Sequence, residues 1–209
     1  MELLLKYFPE LTEQQKKNFE GLYESYRYWN RRINVISRKD FQNFYLHHVL
    51  PSLAVAKIIR FAPDSSVLDA GTGGGFPGLP LAILFPDVHF VLLDSVRKKL
   101  KVIESICRDF NLHNITTHHA RVEQYDETFD FVVSRAVTRF PRFIDWVKDN
   151  VHSHHKNVLK NGILYIKGGD VALEIQDFQN RIRIFSLNRL YKEEFFQTKK
   201  ILYLPFELQ

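Results

Sequence analysis

The residues with the clearest chemical meaning form a glycine-rich run, Gly71–Gly78, which reads GTGGGFPG. The run directly follows a short apolar segment, Val67–Ala70, that is typical of a buried strand. Glycine suits a sharp turn where a ligand must come close to the backbone, and open parallel sheets bind ligands beyond the carboxyl ends of their strands. The spacing therefore predicts a loop that binds a small-molecule cofactor.

The position of the glycines relative to the end of the strand distinguishes between two cofactors. Gly73, Gly75 and Gly78 satisfy the G-x-G-x-x-G pattern of dinucleotide-binding loops. The strand, however, abuts Gly71, and Asp69 stands just before that glycine. A carboxylate at this place would repel a pyrophosphate but attract the ammonium of a methionine moiety, directly or through water. The loop therefore favours S-adenosylmethionine over NAD.

A second carboxylate, Asp94, ends the next predicted strand, His89–Leu93. An acid at this place can accept hydrogen bonds from the ribose hydroxyls of a nucleoside cofactor. The simpler alternatives are that the glycine run is only a turn and that Asp94 only caps a helix beginning near Val96. A glycine loop with acids on both flanking strands is rarer by chance than either feature alone, which favours the cofactor interpretation.

The elements that must position these residues are short apolar strands alternating with helices. Strands are predicted over Val67–Ala70, His89–Leu93, Ile115–His118, Phe129–Ser134 and Ile163–Ile166. Helices are predicted over Gly78–Phe85, over Val96–Phe110 and from about Arg142 to Val151. Two further strands, Ile182–Leu187 and Lys200–Leu204, can pair antiparallel at the sheet edge. This pattern predicts an α/β fold with a mostly parallel seven-stranded sheet and helices on both faces.

Helical signals dominate the part of the chain before the sheet. A capping box at Thr12–Gln15 begins a helix, whose apolar side chains recur at helical spacing: Phe19, Leu22, Tyr23, Tyr26 and Trp29. A second helix is predicted over residues 40–60, broken near Pro51. We therefore expect an N-terminal helical extension, residues 1–63, followed by a sheet domain, residues 64–209.

The composition limits the class of protein. The chain has 209 residues, 45% of them hydrophobic, and no run approaches the roughly 18 apolar residues of a membrane span. The N-terminus has no basic start or cleavage site, so we expect no signal peptide. The single cysteine, Cys107, excludes an internal disulfide and fits a reducing cytoplasm. A mild basic excess, net charge +5, favours a polyanionic partner such as RNA.

Several motifs occur in a fixed order along the chain. The loop Asp69–Gly78 fits the pattern D-x-G-T-G-x-G-x-P-G, and it is accompanied by Trp29-Asn30, Asn34, His48 with Ser52, Leu92–Ser95 with Lys98, Arg121–Glu123, Ser134–Ala136 and Lys167-Gly168. This set resembles the bacterial small-subunit ribosomal RNA guanine-N7 methyltransferases, the glucose-inhibited division protein B family. The resemblance covers most of the chain. The chain departs from it at His47 and Pro51, where the family often has Arg and Asp, and at Gly74 and Phe76, where it often has proline and an aliphatic residue.

The resemblance implies a Rossmann-like class I methyltransferase that uses S-adenosylmethionine to methylate guanine N7 in 16S ribosomal RNA, at guanine 527 of the 530 loop. It implies that Gly71 and Phe76 contact the cofactor and that Asp94 holds its ribose. It also implies that Val122 and Glu123 lie beside the adenine, and Arg135 near the methionine end and the incoming base. The predicted cofactor-binding set is Asp69, Gly71, Gly73, Gly75, Phe76, Asp94, Val122, Glu123 and Arg135. The expected partner is 16S rRNA or the small ribosomal subunit, and we expect a cytoplasmic monomer with no metal and no membrane contact.

The residue types favour a ring nitrogen over other methyl acceptors. Methylation at a pyrimidine C5 usually needs a cysteine nucleophile, and the spacing of Cys107 with Ile103 and Ile106 predicts a buried core thiol. No Asp/Asn-Pro-Pro-aromatic loop, typical of amino-group methylation, follows the fourth strand. Guanine N7 has a free lone pair, so alignment can suffice and we expect no general base. Arg135 is the candidate for orienting guanine, and its alternative is a salt bridge to a carboxylate such as Asp130.

Basic and aromatic side chains near these motifs are candidates for RNA contact. The main RNA-binding candidates are Arg31, Arg32, Lys98, Arg139 and Lys167, and Lys167 leads because its strand should end at the cleft. Further candidate cations are Arg27, Arg38, Lys39, Arg97, Lys99, Lys101 and Arg142. The rings of Tyr26, Tyr28 and Trp29 are candidates to stack on bases. The histidines at 152, 154 and 155 predict an exposed loop, because no cysteines or carboxylates complete a tetrahedral metal site.

Other functional classes are compatible with parts of the sequence. Two features disfavour an NAD-dependent oxidoreductase. The glycines are not placed as a dinucleotide loop requires relative to the end of the strand, and the sequence lacks a convincing Tyr-x-x-x-Lys or similar hydride-transfer site. A methyltransferase of another RNA, or a non-catalytic module that binds S-adenosylmethionine or RNA, stays open because a fold does not determine function.

Overall fold

A computed structural model describes residues 1–37 and 40–206, and its centre is a seven-stranded sheet. The strands are β1 (Ser66–Ala70), β2 (His89–Asp94), β3 (Ile115–His119), β4 (Phe131–Arg135), β5 (Gly162–Gly168), β6 (Arg183–Ser186) and β7 (Lys199–Pro205). Their spatial order is β3-β2-β1-β4-β5-β7-β6.

The strand directions confirm the predicted sheet. β1 to β5 run parallel to one another, while β7 runs antiparallel to β5 and pairs antiparallel with β6 at the edge. The chain order of the strands reverses direction between β1 and β4. A crevice forms beyond the carboxyl ends of the strands at such a point, and it is the usual ligand site of open α/β sheets.

Helices cover both faces of the sheet, as predicted. They are α1 (Glu2–Tyr7), α2 (Glu13–Asn30), α3 (Leu50–Leu53), α4 (Gly78–Leu84), α5 (Arg97–Phe110) and α6 (Phe140–Val147). Val67 and Leu68 point to opposite faces because they are consecutive strand residues, and they belong to different hydrophobic clusters. Side chains of α4 and α5 pack with Val67, and those of α6 with Leu68. No helix in the described part of the chain is long and apolar enough to cross a membrane.

The N-terminal extension shares a core with the sheet. α2 begins with the predicted capping box, in which Gln15 N donates to Thr12 Oγ1 at 3.2 Å and Thr12 N donates to Gln15 Oε1 at 2.9 Å. Phe19 and Leu22 are buried in the cluster that also contains Val67 of β1. The same Gln15 side chain donates from Nε2 to a carbonyl at the end of α4, 3.0 Å away. The division between residues 63 and 64 stays a prediction, because one hydrophobic cluster spans it.

The predicted helix break near Pro51 is wrong. Helical turns continue from residue 41 to residue 57, and they include a π-helix, Tyr45–Val49, immediately before α3. Pro51 is the second residue of α3 and has no N–H to donate to the carbonyl of His47, four residues earlier. The helix therefore passes through the proline, and the His47 carbonyl is left for a donor from elsewhere in the chain.

Other boundaries differ from the prediction by a few residues. β4 begins at Phe131 because Phe129, the predicted first residue, makes only an isolated bridge to Val151. α6 begins earlier than Arg142, because Pro141 suits the first turn of a helix. α1 was not predicted, since its six residues are too few to show a helical period.

The segment between β6 and β7 returns to the extension. The Tyr7 hydroxyl donates to Glu193 Oε2 at 2.7 Å, and Lys6 Nζ lies 2.7 Å from Glu193 Oε1. Tyr191 is buried and donates its hydroxyl to the carbonyl of Leu50, 141 residues away along the chain, at 3.0 Å. Its ring also packs edge-on against Tyr7, with 4.7 Å between the ring centroids. These contacts fasten residues 191–193 to the helices before the sheet.

We expect Tyr191→Phe to lower the free energy of unfolding by about 1 kcal/mol, because it removes one buried hydrogen bond while keeping the ring. Urea unfolding followed by far-ultraviolet circular dichroism measures this. Tyr28→Phe is the matched control, since Tyr28 is 53% exposed, and we expect a change within about 0.5 kcal/mol. Equal stabilities of the Tyr191 and Tyr28 variants would contradict the role given to the Tyr191 hydroxyl.

Candidate active site

The glycine loop is tied to the sheet by Asp69, which is fully buried in β1. Asp69 Oδ2 accepts hydrogen bonds from Thr72 Oγ1 at 2.6 Å and from the Gly78 amide at 2.7 Å. The two donors lie near the beginning and at the end of the loop, so a single oxygen holds both of its sides. Asp69 Oδ1 is buried and has no hydrogen-bond partner among the described residues. Burial raises the pKa of this carboxyl to about 7.

The middle of the loop is open to a ligand. Gly73 has φ +59, a left-handed conformation that favours glycine, and a Cβ built there would meet nothing within 4 Å. At Gly71, φ is +73 and a Cβ would lie only 2.7 Å from Val137 Cγ2. The loop is therefore packed against its neighbours near β1 but free at Gly73, where a ligand can approach the backbone.

Asp94 lies at the end of β2 and faces the same loop. Its Oδ2 accepts the Gly73 amide at 2.7 Å, and its Oδ1 accepts the Val96 amide at 2.8 Å just before α5. The prediction that Asp94 caps the helix is wrong: Val96 is itself the N-cap residue of α5, and no side chain caps the helix. Each carboxylate oxygen has more than one lone pair, so both can still accept a ribose hydroxyl. That ribose contact stays a prediction.

Phe76 packs toward the extension. Its ring centroid lies 5.2 Å from that of Tyr26 and 5.3 Å from that of His48, and the Tyr26 hydroxyl donates to the Gly74 carbonyl. Tyr26 is fully buried, so its predicted stacking on RNA bases is wrong: the ring instead fastens α2 to the glycine loop. The Phe76 side chain is buried in the same contact, so it holds the loop in place.

Val122 and Glu123 follow β3, whose carboxyl end neighbours that of β2. Val122 is buried, while Glu123 is exposed and lies 3.9 Å from Arg121. One apolar side chain and one solvated acid therefore stand on the side of the loop where Asp94 lies. Their predicted place beside an adenine stays a prediction.

Arg135 ends β4 and reaches into the helical turns before the sheet. Its Nη1 donates to the His47 carbonyl at 3.1 Å, the same carbonyl that Pro51 leaves without a helical donor. Its Nη2 donates to His48 Nδ1 at 3.1 Å, and its guanidinium carbon lies 5.3 Å from the centroid of the Phe76 ring. Two neutral acceptors thus hold the guanidinium beside the glycine loop.

The alternative partner considered for Arg135, Asp130, is wrong. Asp130 precedes β4 at the opposite end of that strand, where it lies 3.4 Å from Lys156 Nζ and 3.5 Å from His152 Nε2. Its Oδ2 also accepts the Ser66 amide at 2.9 Å. The sequence distance between Asp130 and Arg135 suggested a pair, but the extended strand separates the two side chains along its length.

His48 is held by Asp40 in one tautomer. His48 Nε2 lies 2.7 Å from Asp40 Oδ2, while its Nδ1 accepts from Arg135. The proton must therefore be on Nε2, since Nδ1 accepts a hydrogen bond. Burial, and then the positive charge of Arg135, lower the pKa of His48 to about 4, so the ring is neutral at pH 7. Asp40 also binds the ring of His47 through its other oxygen.

Sequence reasoning missed Asp40, because a single acid in a polar stretch has no motif. The signals that pointed to this place were His47 and Pro51, the two departures from the family pattern, which are four residues apart and therefore one helical turn apart. In the structure, one provides the carbonyl that binds Arg135 and the other leaves that carbonyl free. Only the proline bears on this contact, because any residue at position 47 would provide the same backbone carbonyl.

Cys107 is partly buried on α5, and burial raises the pKa of its thiol to about 12. A neutral thiol packed on the core agrees with the predicted core role and is a poor nucleophile. Within residues 1–37 and 40–206, no group of three or more His, Cys, Asp or Glu side chains is placed to hold a metal ion.

The predicted RNA-binding cations differ in their surroundings. The exposed ones are Arg31, Arg32, Lys98 and Arg139. Lys167 is mostly buried and forms an ion pair with Glu174, so the strongest predicted RNA cation is already neutralised. Arg38 and Lys39, two further candidates, lie outside the described residues.

The sequence was compared with known families and proteins. The sequence model of one family, described as rRNA small subunit methyltransferase G, matches residues 15–201. The ribosomal RNA small subunit methyltransferase G of Bacteroides fragilis is 52% identical over 204 residues, which cover 98% of this chain and 99% of that protein. The protein of the same name from Flavobacterium johnsoniae is 47% identical over 209 residues, which cover 100% of both chains.

Solved structures show the same architecture at low identity. An S-adenosylmethionine-dependent O-methyltransferase from Thermotoga maritima has a TM-score of 0.59 and 12% identity, covering 81% of this chain and 71% of its own. A precorrin-6y C5,15-methyltransferase from Geobacter metallireducens has a TM-score of 0.55 and 13% identity, covering 82% and 90%. These similarities show the fold, a class I methyltransferase fold.

We expect Asp69 to make the protein less stable as the pH rises from about 4 to 7. Its pKa in the folded state is about 7, above the ordinary value of 3.8. Its contribution to stability is therefore full below pH 4 and is lost as the pH rises through 7. This loss is on the order of a few kcal/mol. The free energy of unfolding of the Asp69→Asn variant, measured in urea, should not show this decrease with pH.

The exposed Asp64→Asn variant is the control for this pH series, because removing a solvated carboxylate should leave the pH dependence as it is in the wild type. The same pH slope in the wild type and in Asp69→Asn would contradict the burial argument.

Proposed function

Because this chain belongs to the rRNA small subunit methyltransferase G family, we propose that it transfers a methyl group from S-adenosylmethionine to N7 of a guanine in 16S ribosomal RNA. The proposal includes the finer site, guanine 527 of the 530 loop, which comes from the family resemblance. It also includes action as a monomer in the cytoplasm, on 16S rRNA or the small ribosomal subunit.

The observation that carries the proposal is a glycine loop whose backbone is open at Gly73, with Asp94 bound at Gly73 and Arg135 beside the ring of Phe76. Asp94 ends β2, the glycine loop follows β1, and Arg135 ends β4, so the three lie on consecutive strands of the sheet. A nucleoside with an amino-acid tail fits this order, with its ribose at Asp94 and its tail toward Arg135. The residues present therefore fit S-adenosylmethionine.

When bound, S-adenosylmethionine supplies an electrophilic methyl group on a sulfonium. Guanine N7 offers a lone pair and no proton, so the protein needs to align the base and requires no general base. Arg135 has five N–H donors, and its two described contacts leave donors for the O6 acceptor of guanine. His48 is neutral at pH 7, so it holds Arg135 without placing a second positive charge beside it.

Two features favour guanine N7 over a pyrimidine C5 or an amino group as the methyl acceptor. The neutral thiol of Cys107 disfavours attack on a pyrimidine C5, which needs a thiolate. The chain continues from Arg135 through Ala136 and Val137, and it has no Pro-Pro-aromatic loop of the amino-group enzymes. The ring nitrogen of guanine requires neither device.

RNA would approach over the exposed cations, for which we propose Arg31, Arg32, Lys98 and Arg139. Such cations attract the phosphate backbone without reading sequence. Lys167 is also part of the proposed RNA set, but contact with a phosphate would have to replace its ion pair with Glu174.

The proposed activity is tested with small ribosomal subunits from cells that lack this protein. The purified protein and S-adenosylmethionine should introduce one N7-methylguanine into 16S rRNA, which borohydride and aniline cleavage locates. Cys107→Ala should keep the activity, because the thiol is a core residue. Cleavage at no guanine, on both naked 16S rRNA and assembled subunits, would overturn the proposed function.

The cofactor site is tested separately by calorimetry. We expect the wild type to bind S-adenosylmethionine and to show no comparable binding of NAD. Asp94→Asn should weaken S-adenosylmethionine binding about 10-fold or more, since hydrogen bonds to a charged group contribute roughly 1.5–3 kcal/mol each. Asp109→Asn, an exposed change on α5, is the control. Unchanged affinity in Asp94→Asn would remove Asp94 from the ribose site.

A further inference from the structure

A cavity of about 420 Å³ lies beside Arg135, at the ends of β4, β5 and β7. Its lining includes the helical residues Asp40, His47 and His48, and on the other side Phe195 and Lys199. Phe195 and Lys199 come from the segment that follows β6, far along the chain from the glycine loop. No motif of the sequence pointed to them.

The cavity lies on the far side of the glycine loop from Asp94. In the sheet, β2 and β4 flank β1, and β5 lies next beyond β4. With neighbouring strands about 4.8 Å apart, the cavity is about three strands from Asp94. Ala136, in its wall, directly precedes Val137, whose side chain touches the position of Gly71. A cofactor with its ribose at Asp94 would therefore direct its other end toward this cavity.

One wall of the cavity is aromatic. The rings of His47 and Phe195 stack with 4.0 Å between their centroids and 17° between their planes. Phe195 is only partly buried, whereas the next residue, Phe196, is fully buried in the core. A pair of stacked rings at the rim of a cavity is the kind of platform on which nucleic-acid bases stack.

A cation stands beside this wall. Lys199 Nζ lies over the Phe195 ring, 4.8 Å from its centroid. Because His47 is stacked on the same ring, a base can use the Phe195 face only when the lysine moves from the ring to a phosphate. A Cβ at Gly168 would lie 2.8 Å from Lys199 Nζ, so the absence of a side chain at Gly168 makes room for the ammonium. A stacking ring with an adjacent cation matches a nucleotide, whose base is flat and whose phosphate is negative.

We propose that this cavity receives the target guanine of the RNA, with the His47–Phe195 pair as its stacking platform and Lys199 as the contact for a phosphate of the same RNA segment. The inference rests on the proposed function. A base inside a stacked RNA segment must leave its neighbours to enter a concave site, and sites that receive an extruded base hold it by stacking and edge contacts. Arg135 lies in the wall of the cavity and would donate to the O6 acceptor of guanine. Adenine has an amino group at that position, so two donors would face each other.

The test compares two variants of Phe195. Phe195→Leu keeps an apolar side chain but removes the aromatic face, while Phe195→Tyr keeps the face. With small subunits from cells lacking the protein, we expect Phe195→Leu to lower kcat/KM for subunits about 5-fold to 100-fold, as the loss of one base–aromatic stack does. Phe195→Tyr should stay within about 3-fold of the wild type. Affinity for S-adenosylmethionine and thermal unfolding should be close to wild type in Phe195→Tyr.

The phosphate contact is tested by Lys199→Ala against Lys200→Ala. The two changes remove the same charge from adjacent residues of β7, but only Lys199 lines the cavity. We expect Lys199→Ala to weaken binding of subunits, measured by filter retention with S-adenosylhomocysteine present, and to reduce the salt dependence of binding by about one ion. Lys200→Ala should change both less. This pair remains decisive if Phe195→Leu does not fold.

The outcomes separate the two proposals. A wild type that methylates no guanine N7 overturns the proposed function. A wild type that methylates guanine N7 while Phe195→Leu matches Phe195→Tyr, or while Lys199→Ala matches Lys200→Ala, leaves the function intact and overturns the base pocket. Loss of S-adenosylmethionine binding together with RNA binding in a folded Phe195→Leu would also overturn it, because the ring would then support the cofactor site.

Discussion

Asp69 is buried in β1, and one of its carboxylate oxygens holds both the Thr72 hydroxyl and the Gly78 amide. The loop between these two donors can therefore be open at Gly73 without losing its shape. Placing an acid in the core has a cost, which appears as the pKa of about 7. The shape of the glycine loop thus depends on a carboxylate that would be unfavourable here without the hydrogen bonds it accepts from that loop.

The helices before the sheet are part of the candidate active site as well as of the core. Tyr26 binds the Gly74 carbonyl, and the turn that contains Pro51 offers the His47 carbonyl to Arg135. A protein with the sheet alone would keep the strands but lose the acceptors that aim the guanidinium. One hydrophobic cluster also runs through the extension and the sheet.

Local pattern was enough to predict the glycine loop, Asp94 and the strands, because each of these features follows from a few consecutive residues. It was not enough for the neighbours of Arg135. His48, which accepts a hydrogen bond from Arg135, is 87 residues away along the chain, and no periodicity connects the two. Lys167 shows the same limit: it was predicted to follow a strand but lies within β5, near its carboxyl end, and its neutralising partner, Glu174, lies in the following loop.

The contacts of residues 191–199 have a consequence for the order of events during synthesis. The ribosome makes Tyr7 and His47 long before it makes their partners, Glu193 and Phe195. Contacts between distant parts of a chain form slowly, because a long loop must close before they stabilise anything. A nascent chain that has been made only as far as β5 already contains the glycine loop. It lacks the wall of the cavity beside Arg135. The wall beside Arg135 can therefore form only after residues 191–199 have been made and have returned to the helices before the sheet.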